Sequence, residues 1–368
     1  MHEILDKHTK CVIIFNCANG CTMNKGRKMS ITIKDIAKMA DVSVSTVSRC
    51  LNNNPRISLA TREKVHKIAD ELGFVANNSA KSLSTKKTGL VGLIYQESFD
   101  QEGSHTYVDN LCTHIRRELE KLHIDTIQIE AINKENNESN VIRLVKENKI
   151  DGFIFLHNQV TREDIRTLKR YHIPTVLVHF EPQFEYLNNY FVTDNFYGGY
   201  LAGQLLAQNG CTKPCIIRCD PDAKEKEFEE RTNGFIKGFS PNGTAIKPQA
   251  LFKVRSDVYQ IYQIIIDNFD IIQKCDCIFS QSDVIAVGVI QALQKKGIDV
   301  PNDIQVVGYD DSYYSRILPP FITTIHQPKE EIAQKATLRI KDLITNTATD
   351  ISIHEKIKPY LIRRDSTK

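Results

Sequence analysis

Two groups of residues in this chain have types and spacings that could do chemistry. Residues 44–51, VSTVSRCL, offer Ser45, Thr46, Ser48 and Arg49 on the outer or edge side of one short helix. Small hydroxyls let a helix backbone sit close to a groove, and an arginine beside them can bond a phosphate or a base edge. The second group is scattered: Gln96, Asn158, His179, Asp194, the Arg218–Arg231 loop, Ser282–Asp283 and Asp310 follow apolar runs that read as strands. Polar groups beyond the carboxyl ends of parallel strands are where such sheets bind ligands. Asp283, Asp310, Asp311 and His326 could also serve as acid and base, but no G-x-S-x-G, phosphate loop or metal spacing accompanies them. Two cysteine clusters, Cys211/Cys215/Cys219 and Cys275/Cys277, come near zinc-ligand spacing. Most of these cysteines lie in apolar runs, CIIRC and CIFS, where Cys acts as a small hydrophobe. Neither a metal nor a cofactor is expected, and the chain does not read as an enzyme.

These residues must be positioned by more than one core. At 368 residues the chain suggests two or three domains, and 41% hydrophobic with 25% charged residues is the balance of a globular protein. No apolar run reaches the roughly 18 residues of a membrane helix, and CVIIF near the start is too short for a signal peptide. A cytoplasmic location without a membrane partner is expected. Charge is segregated: residues 29–88 carry a net +5, residues 1–28 a net +3, and the remainder −5. A basic N-terminal part on an acidic body points to a polyanion as partner of that part alone.

Thr32-Ile33-Lys34-Asp35 reads as a capping box with Asp in the Glu position, opening a helix with Ile33, Ile36, Ala37 and Ala40 on one face. Asp41-Val42-Ser43 breaks it. A second helix spans Val44 to Leu51, with Val44, Val47 and Leu51 inward. Ser58 caps a third, Leu59 to Leu72, which ends at Gly73. Periodicity alone also fits a three-helix interaction module. The text decides: ITIKDIAKMADVSVSTVSRCLNNNPRISLATREKVHKIADELGFVANNSAKSLSTKKTGLVGLI closely resembles the headpiece of the LacI/GalR family of bacterial transcription repressors. The likeness is unbroken over about sixty residues and includes D-V-S-x-x-T-V-S-R, T-R-E-K-V and the A-x-x-L hinge.

That resemblance implies a helix-turn-helix that reads palindromic operator DNA. Val44 and Ser45 would face base edges, with Thr32, Thr46, Ser48, Arg49 and Asn52 beside them. The hinge would contribute Asn78, Ala80 and Leu83, the leucine wedging into the minor groove. A hinge of about eight residues is too short to hold a helix alone in water.

After Gly89, strands alternate with helices: GLVGLIY, DGFIFL, PTVLVHF, YFVTD, PCIIRC, DCIFS and QVVGYD, with helices near 109–122, 199–210, 257–269 and 284–296. The expected class is α/β, an all-α headpiece joined by a hinge helix to two doubly wound parallel-sheet subdomains of the periplasmic-binding-protein type. The expected divisions are 1–28, a disordered extension or over-called start; 29–76, the headpiece; 77–88, the hinge; and 89–368, the effector and dimerisation body. Within the body, the N-subdomain takes 89–209 with 323–346, and the C-subdomain takes 211–320 with 348–368. The family's effector arginine sits in R-x-x-G-F/W, matched by Arg231, and its acidic partners match Asp310 in VVGYDD and Asp194 in VTDNFYGGYLAG. An arginine between two carboxylates can hold neighbouring hydroxyls, so the implied effector is a sugar or sugar phosphate. Ser282 stands where many members have Asn, and without any Trp the aromatic face would fall to Tyr107 or Phe228. The resemblance further implies a homodimer, and PYLIRRDSTK lacks the heptads of a coiled-coil tetramer. A transport binding protein shares the body fold but has no use for residues 29–88.

Overall fold

At the first helix, the Asp35 carboxylate accepts hydrogen bonds from the Thr32 backbone N–H at 2.8 Å and from its hydroxyl at 2.7 Å. The computed structural model describes residues 31–51, 54–74, 87–95, 106–133, 135–157, 160–182, 184, 186–219, 226–240, 251–254, 257–347 and 351–368. It divides into two compact units, 1–77 and 78–368.

The first unit holds α1 (Ile33–Ala40), α2 (Val44–Leu51) and α3 (Leu59–Glu71). Asp41 turns the chain with φ +55°, a left-handed conformation that Asp tolerates better than most residues. Ile36, Ala40, Val47, Cys50 and Val65 are fully buried together. Lys64 donates to the Ala40 carbonyl at 2.8 Å, tying α3 to the end of α1. One expectation fails here: Val44 is 46% exposed rather than inward, and Leu51 is only half-buried. Cys50, one helical step of three from Val47, fills the inner position instead. The hinge residues Asn78, Ala80 and Leu83 lie outside the described residues, as do Asn52, Gln96 and Asn158.

The second unit contains two six-stranded sheets. The first runs β11 (His354–Ile357), β5 (Tyr190–Thr193), β4 (Thr175–Val178), β3 (Gly152–Phe155), β1 (Leu90–Tyr95), β2 (Asp125–Glu130), all parallel. The second runs β12 (Tyr360–Ile362), β10 (Thr323–His326), β9 (Gln305–Asp310), β8 (Cys277–Ser280), β6 (Pro214–Cys219), β7 (Leu251–Val254), with only β12 antiparallel. The two sheets repeat one winding order and are covered on both faces, which is why strands such as GFIF and CIFS are buried throughout.

Helices α4 (Thr106–Lys121), α5 (Asn140–Lys146), α6 (Arg162–Arg170) and α12 (Lys329–Thr345) belong to the first lobe, and α7 (Asn195–Gln208), α8 (Lys226–Phe239), α9 (Val258–Asp267), α10 (Phe269–Ile272) and α11 (Asp283–Lys295) to the second. The subdomain boundaries expected from the sequence are corrected at three places. Helix α7 packs Ala202, Leu205 and Leu206 against Phe279 and Tyr309, so the second lobe begins at Asp194. Strand 323–326 pairs with β9 and stays in the second lobe, while α12 buries Ile332, Ala336 and Ile340 in the first. Strand 354–357 pairs with β5 and closes the first sheet rather than the second. The chain thus crosses between lobes three times, after β5, β10 and β11.

Candidate functional site

On α2, Ser45 and Arg49 are exposed with Val44, while Thr46 and Ser48 are half-buried at the edge. The Ser43 hydroxyl caps this helix by accepting the Thr46 N–H at 3.1 Å, and it stands 2.8 Å from the hydroxyls of both Ser45 and Thr46. Capping therefore also fixes the orientation of the outward hydroxyls. The far end of α2 is held where the His66 ring meets the Cys50 carbonyl at 3.2 Å. Eight residues, pinned at both ends, present one apolar and several polar groups to solvent.

In the body, Arg231 lies on α8, not in a loop as the sequence suggests. Its side chain is 3% exposed; Nε donates to the Asn195 amide oxygen at 2.8 Å and one terminal nitrogen to the Gln281 carbonyl at 2.7 Å. The guanidinium stacks 3.8 Å from the Tyr309 ring centre, with Phe228 at 5.0 Å on another side. What brings Arg231 there is an unusually close pairing of α7 with α8. A Cβ on Gly234 would stand 1.9 Å from the Phe196 carbonyl oxygen, and one on Gly199 2.1 Å from the Arg231 oxygen. Only glycine permits backbones at that separation.

Asp310 ends β9 with φ +110°, and Asp311 follows at +47°, two strained non-glycine residues in succession. The Asp310 carboxylate accepts the Gln327 amide at 2.7 Å and its carbonyl accepts the buried Lys329 ammonium at 2.9 Å. Burial raises the Asp310 carboxyl above the usual range, with Arg231, Gln327 and Lys329 opposing. Asp283 is pushed up to about 8 by burial and by Asp310, although Thr324 and Ser312 each donate to it at 2.6 Å. Asp311 is separate: His326 at 2.9 Å and Arg364 at 2.5 Å hold it, so the four groups of the acid–base reading do not converge.

The other expected residues divide. Asp194 caps α7 by accepting the Tyr197 N–H at 2.9 Å, and Ser282 caps α11 by accepting the Ile285 N–H at 3.3 Å. Tyr107 is buried in the first lobe, its ring 5.1 Å from that of His179. Its hydroxyl and that of Thr193 are buried without a well-aligned hydrogen bond among the described residues. Between the lobes lies a cavity of about 190 Å³ with His179, Thr193, Asn195, Lys226, Glu227 and Glu230 in its walls. Asn195 links this cavity to Arg231. Burial raises the Glu227 carboxyl, which faces the same space. Sequence reasoning missed Asn195, Gln281, Gln327, Lys329 and Glu227. Only Asn195, beside Asp194 at a strand end, carried a readable signal.

Cys211, Asp276 and Cys277 have ligand atoms within 4.8 Å of one another. The Asp276 carboxylate is already held by the Thr212 N–H and hydroxyl and the Lys213 N–H, at 2.7 to 3.1 Å. Two buried thiols and an engaged carboxylate make a poor metal cage. Among the described residues, no helix is long and apolar enough to cross a membrane.

Residues 32–77 match the model for bacterial regulatory proteins of the lacI family, and residues 204–367 match that for a periplasmic binding protein-like domain. The transcriptional regulator RegA of Clostridium acetobutylicum is 30% identical over 348 residues, covering 92% of this chain and 100% of its own. The transcriptional repressor PurR of Aliivibrio salmonicida is 26% identical over 340 residues, covering 91% and 98%. The lac repressor dimer bound to operator and the anti-inducer ONPF shares the fold with TM-score 0.75 at 21% identity, over 92% of this chain and 99% of that one. A CelR–cellobiose complex aligns with TM-score 0.66 at 24% identity, over 91% and 99%. These relatives are regulators rather than enzymes, and they match both the headpiece and the two-lobed body; the chain belongs to the lacI family of bacterial regulatory proteins, DNA-binding regulators of transcription.

Proposed function

We propose that this regulator is a dimeric cytoplasmic repressor of carbohydrate genes, released or engaged by a sugar-like effector in the cleft between its lobes. The observation that carries the effector reading is the buried set of Arg231, Asn195 and Asp310 beside a cavity of about 190 Å³. Fixed donors and fixed acceptors suit a ligand made of neighbouring hydroxyls. The sugar complexes of structural neighbours agree with this: CelR holds cellobiose, and a LacI-family regulator from Enterococcus faecium holds ribose. Asp194 and Ser282 keep places in the proposal as the residues that cap α7 and α11. The body also exposes Tyr313, Leu318 and Phe321 within nine residues, an apolar patch suited to a second copy. A dimer would carry two headpieces to the two halves of a palindrome.

The experiment is a selection of duplexes by the full-length protein, followed by a panel of sugars and sugar phosphates tested for altered operator binding. A palindromic site and at least one responsive sugar are expected. A site without two-fold symmetry would remove the dimer, and a response confined to non-carbohydrate ligands would remove the sugar.

The same selection tests the readers. Val44 and Ser45 are proposed to face base edges, where a good contact discriminates by about 1–3 kcal/mol. Replacing both should change which half-site is enriched, whereas Arg49→Ala should weaken all sites alike. An unchanged half-site would assign base reading elsewhere.

A further inference from the structure

At the mouth of the inter-lobe cavity four charged side chains close a ring. Glu181 follows β4 and Lys356 lies on β11, both in the first lobe; Lys226 and Glu230 occupy the first turns of α8 in the second. Across the cleft, Lys226 meets Glu181 at 2.6 Å and Lys356 meets Glu230 at 3.0 Å. Within each lobe, Lys356 meets Glu181 at 2.6 Å and Lys226 approaches Glu230 at 3.8 Å. Signs alternate round the ring, so every charge has an opposite charge on each side.

We propose that Glu181, Lys226, Glu230 and Lys356 form an electrostatic strap that holds the two lobes together over the cleft. Isolated surface pairs contribute little, because solvent screens them. This ring differs in two respects. Its glutamates are only 25% and 21% exposed, so opening would leave two half-desolvated carboxylates without their cross-cleft lysines. And each charge serves two partners, so one disruption weakens several contacts at once. Against burial, the two glutamates still raise the Lys356 ammonium well above its ordinary range. Glu181 and Glu230 also wall the cavity, so strap and ligand site share atoms. A ligand that bonds these carboxylates competes with the lysines, and one that bonds Arg231 and Asn195 leaves the strap intact. The strap thus favours the arrangement in which the lobes meet, and an effector acts with it or against it. Its regulatory consequence rests on the cleft being the effector site; its existence does not.

Charge inversion separates the two kinds of contact. Exchanging both charges of the first lobe (Glu181→Lys with Lys356→Glu) preserves the pair within that lobe and sets like against like across the cleft. Exchanging all four, with Lys226→Glu and Glu230→Lys added, restores opposite signs everywhere. The lobe separation is read by single-molecule energy transfer between dyes on ketone-bearing residues at Glu163 and Lys237, with labelled full-length protein diluted into unlabelled. The wild type should populate one short distance. The first-lobe inversion should move about tenfold or more of the population ratio to a longer distance, since like-charge contacts are strongly unfavourable. The fourfold inversion should bring the short distance back, which also certifies that the lobe-one substitutions fold. An unchanged distance in the first variant, or no return in the second, overturns the strap. If distances respond as expected but operator affinity does not, the strap stands and control through the cleft falls.

Discussion

Asp310→Asn is expected to raise the effector concentration needed to alter operator binding by about a hundredfold or more, with operator affinity itself within about twofold. The substitution keeps the shape and the Gln327 contact while removing the carboxylate that a hydroxyl would donate to. Arg231→Lys should act similarly, because lysine cannot reproduce the planar fork that now spans Asn195 and Gln281 over the Tyr309 ring. Truncating one partner of a buried charged hydrogen bond leaves the other unpaired, at about 2–5 kcal/mol. Operator titrations at several ligand concentrations measure both quantities. A wild-type midpoint in either variant would take that residue out of the effector site.

Gly234→Ala is expected to be the most damaging small substitution in the body. In an ordinary helix, Gly to Ala would gain about 1 kcal/mol of helix propensity. Here the new methyl would meet the Phe196 carbonyl at 1.9 Å, and no side chain can rotate to relieve it. Either α8 moves away from α7 or the pair fails to dock, and over-packing of this kind costs about 3 kcal/mol or more. The clash wins. A lowered urea midpoint is the expected reading, with Lys237→Ala on the exposed side of α8 as the control. Because Arg231 rides on the same helix, any folded fraction should respond poorly to effector. Equal midpoints for the two variants would show that the helices can separate without penalty.

The headpiece helices are legible because their signals are local: a capping box at Thr32, a serine cap at Ser58 and apolar residues at helical spacing. The buried strands are legible for the same reason, as short apolar runs between breaks. Helix α8 is not. Its sequence, KEFEERTNGFIKGF, contains two glycines that lower helix propensity, and their purpose emerges only when a partner backbone arrives beside them. The exchange of strands between lobes is equally hidden. HEKI looks like solvated coil, and its pairing with β5 depends on residues more than 150 positions away. Asp194 and Ser282 lie where strand-end reasoning puts them, yet the cap rule reads the same residues as helix starts. Both descriptions hold, since a helix begins directly after each strand's carboxyl end. The buried Lys329 had no signal, because lysine is almost never buried without a partner and no pattern announces the partner.

The three crossings have a consequence for how this protein is made. The first sheet lacks its edge strand until residues 354–357 have been synthesised, and the second lacks β12 until residue 362. On the ribosome, the three headpiece helices can pack as soon as they emerge, since all their contacts are local. Both lobes must wait for the strands at residues 354–362. A nascent chain interrupted before residue 354 would therefore carry a finished DNA-reading head on a body with two incomplete sheets and exposed strand edges. Such an edge recruits other chains. Interrupting synthesis before these two strands thus yields aggregation rather than a slightly shortened regulator.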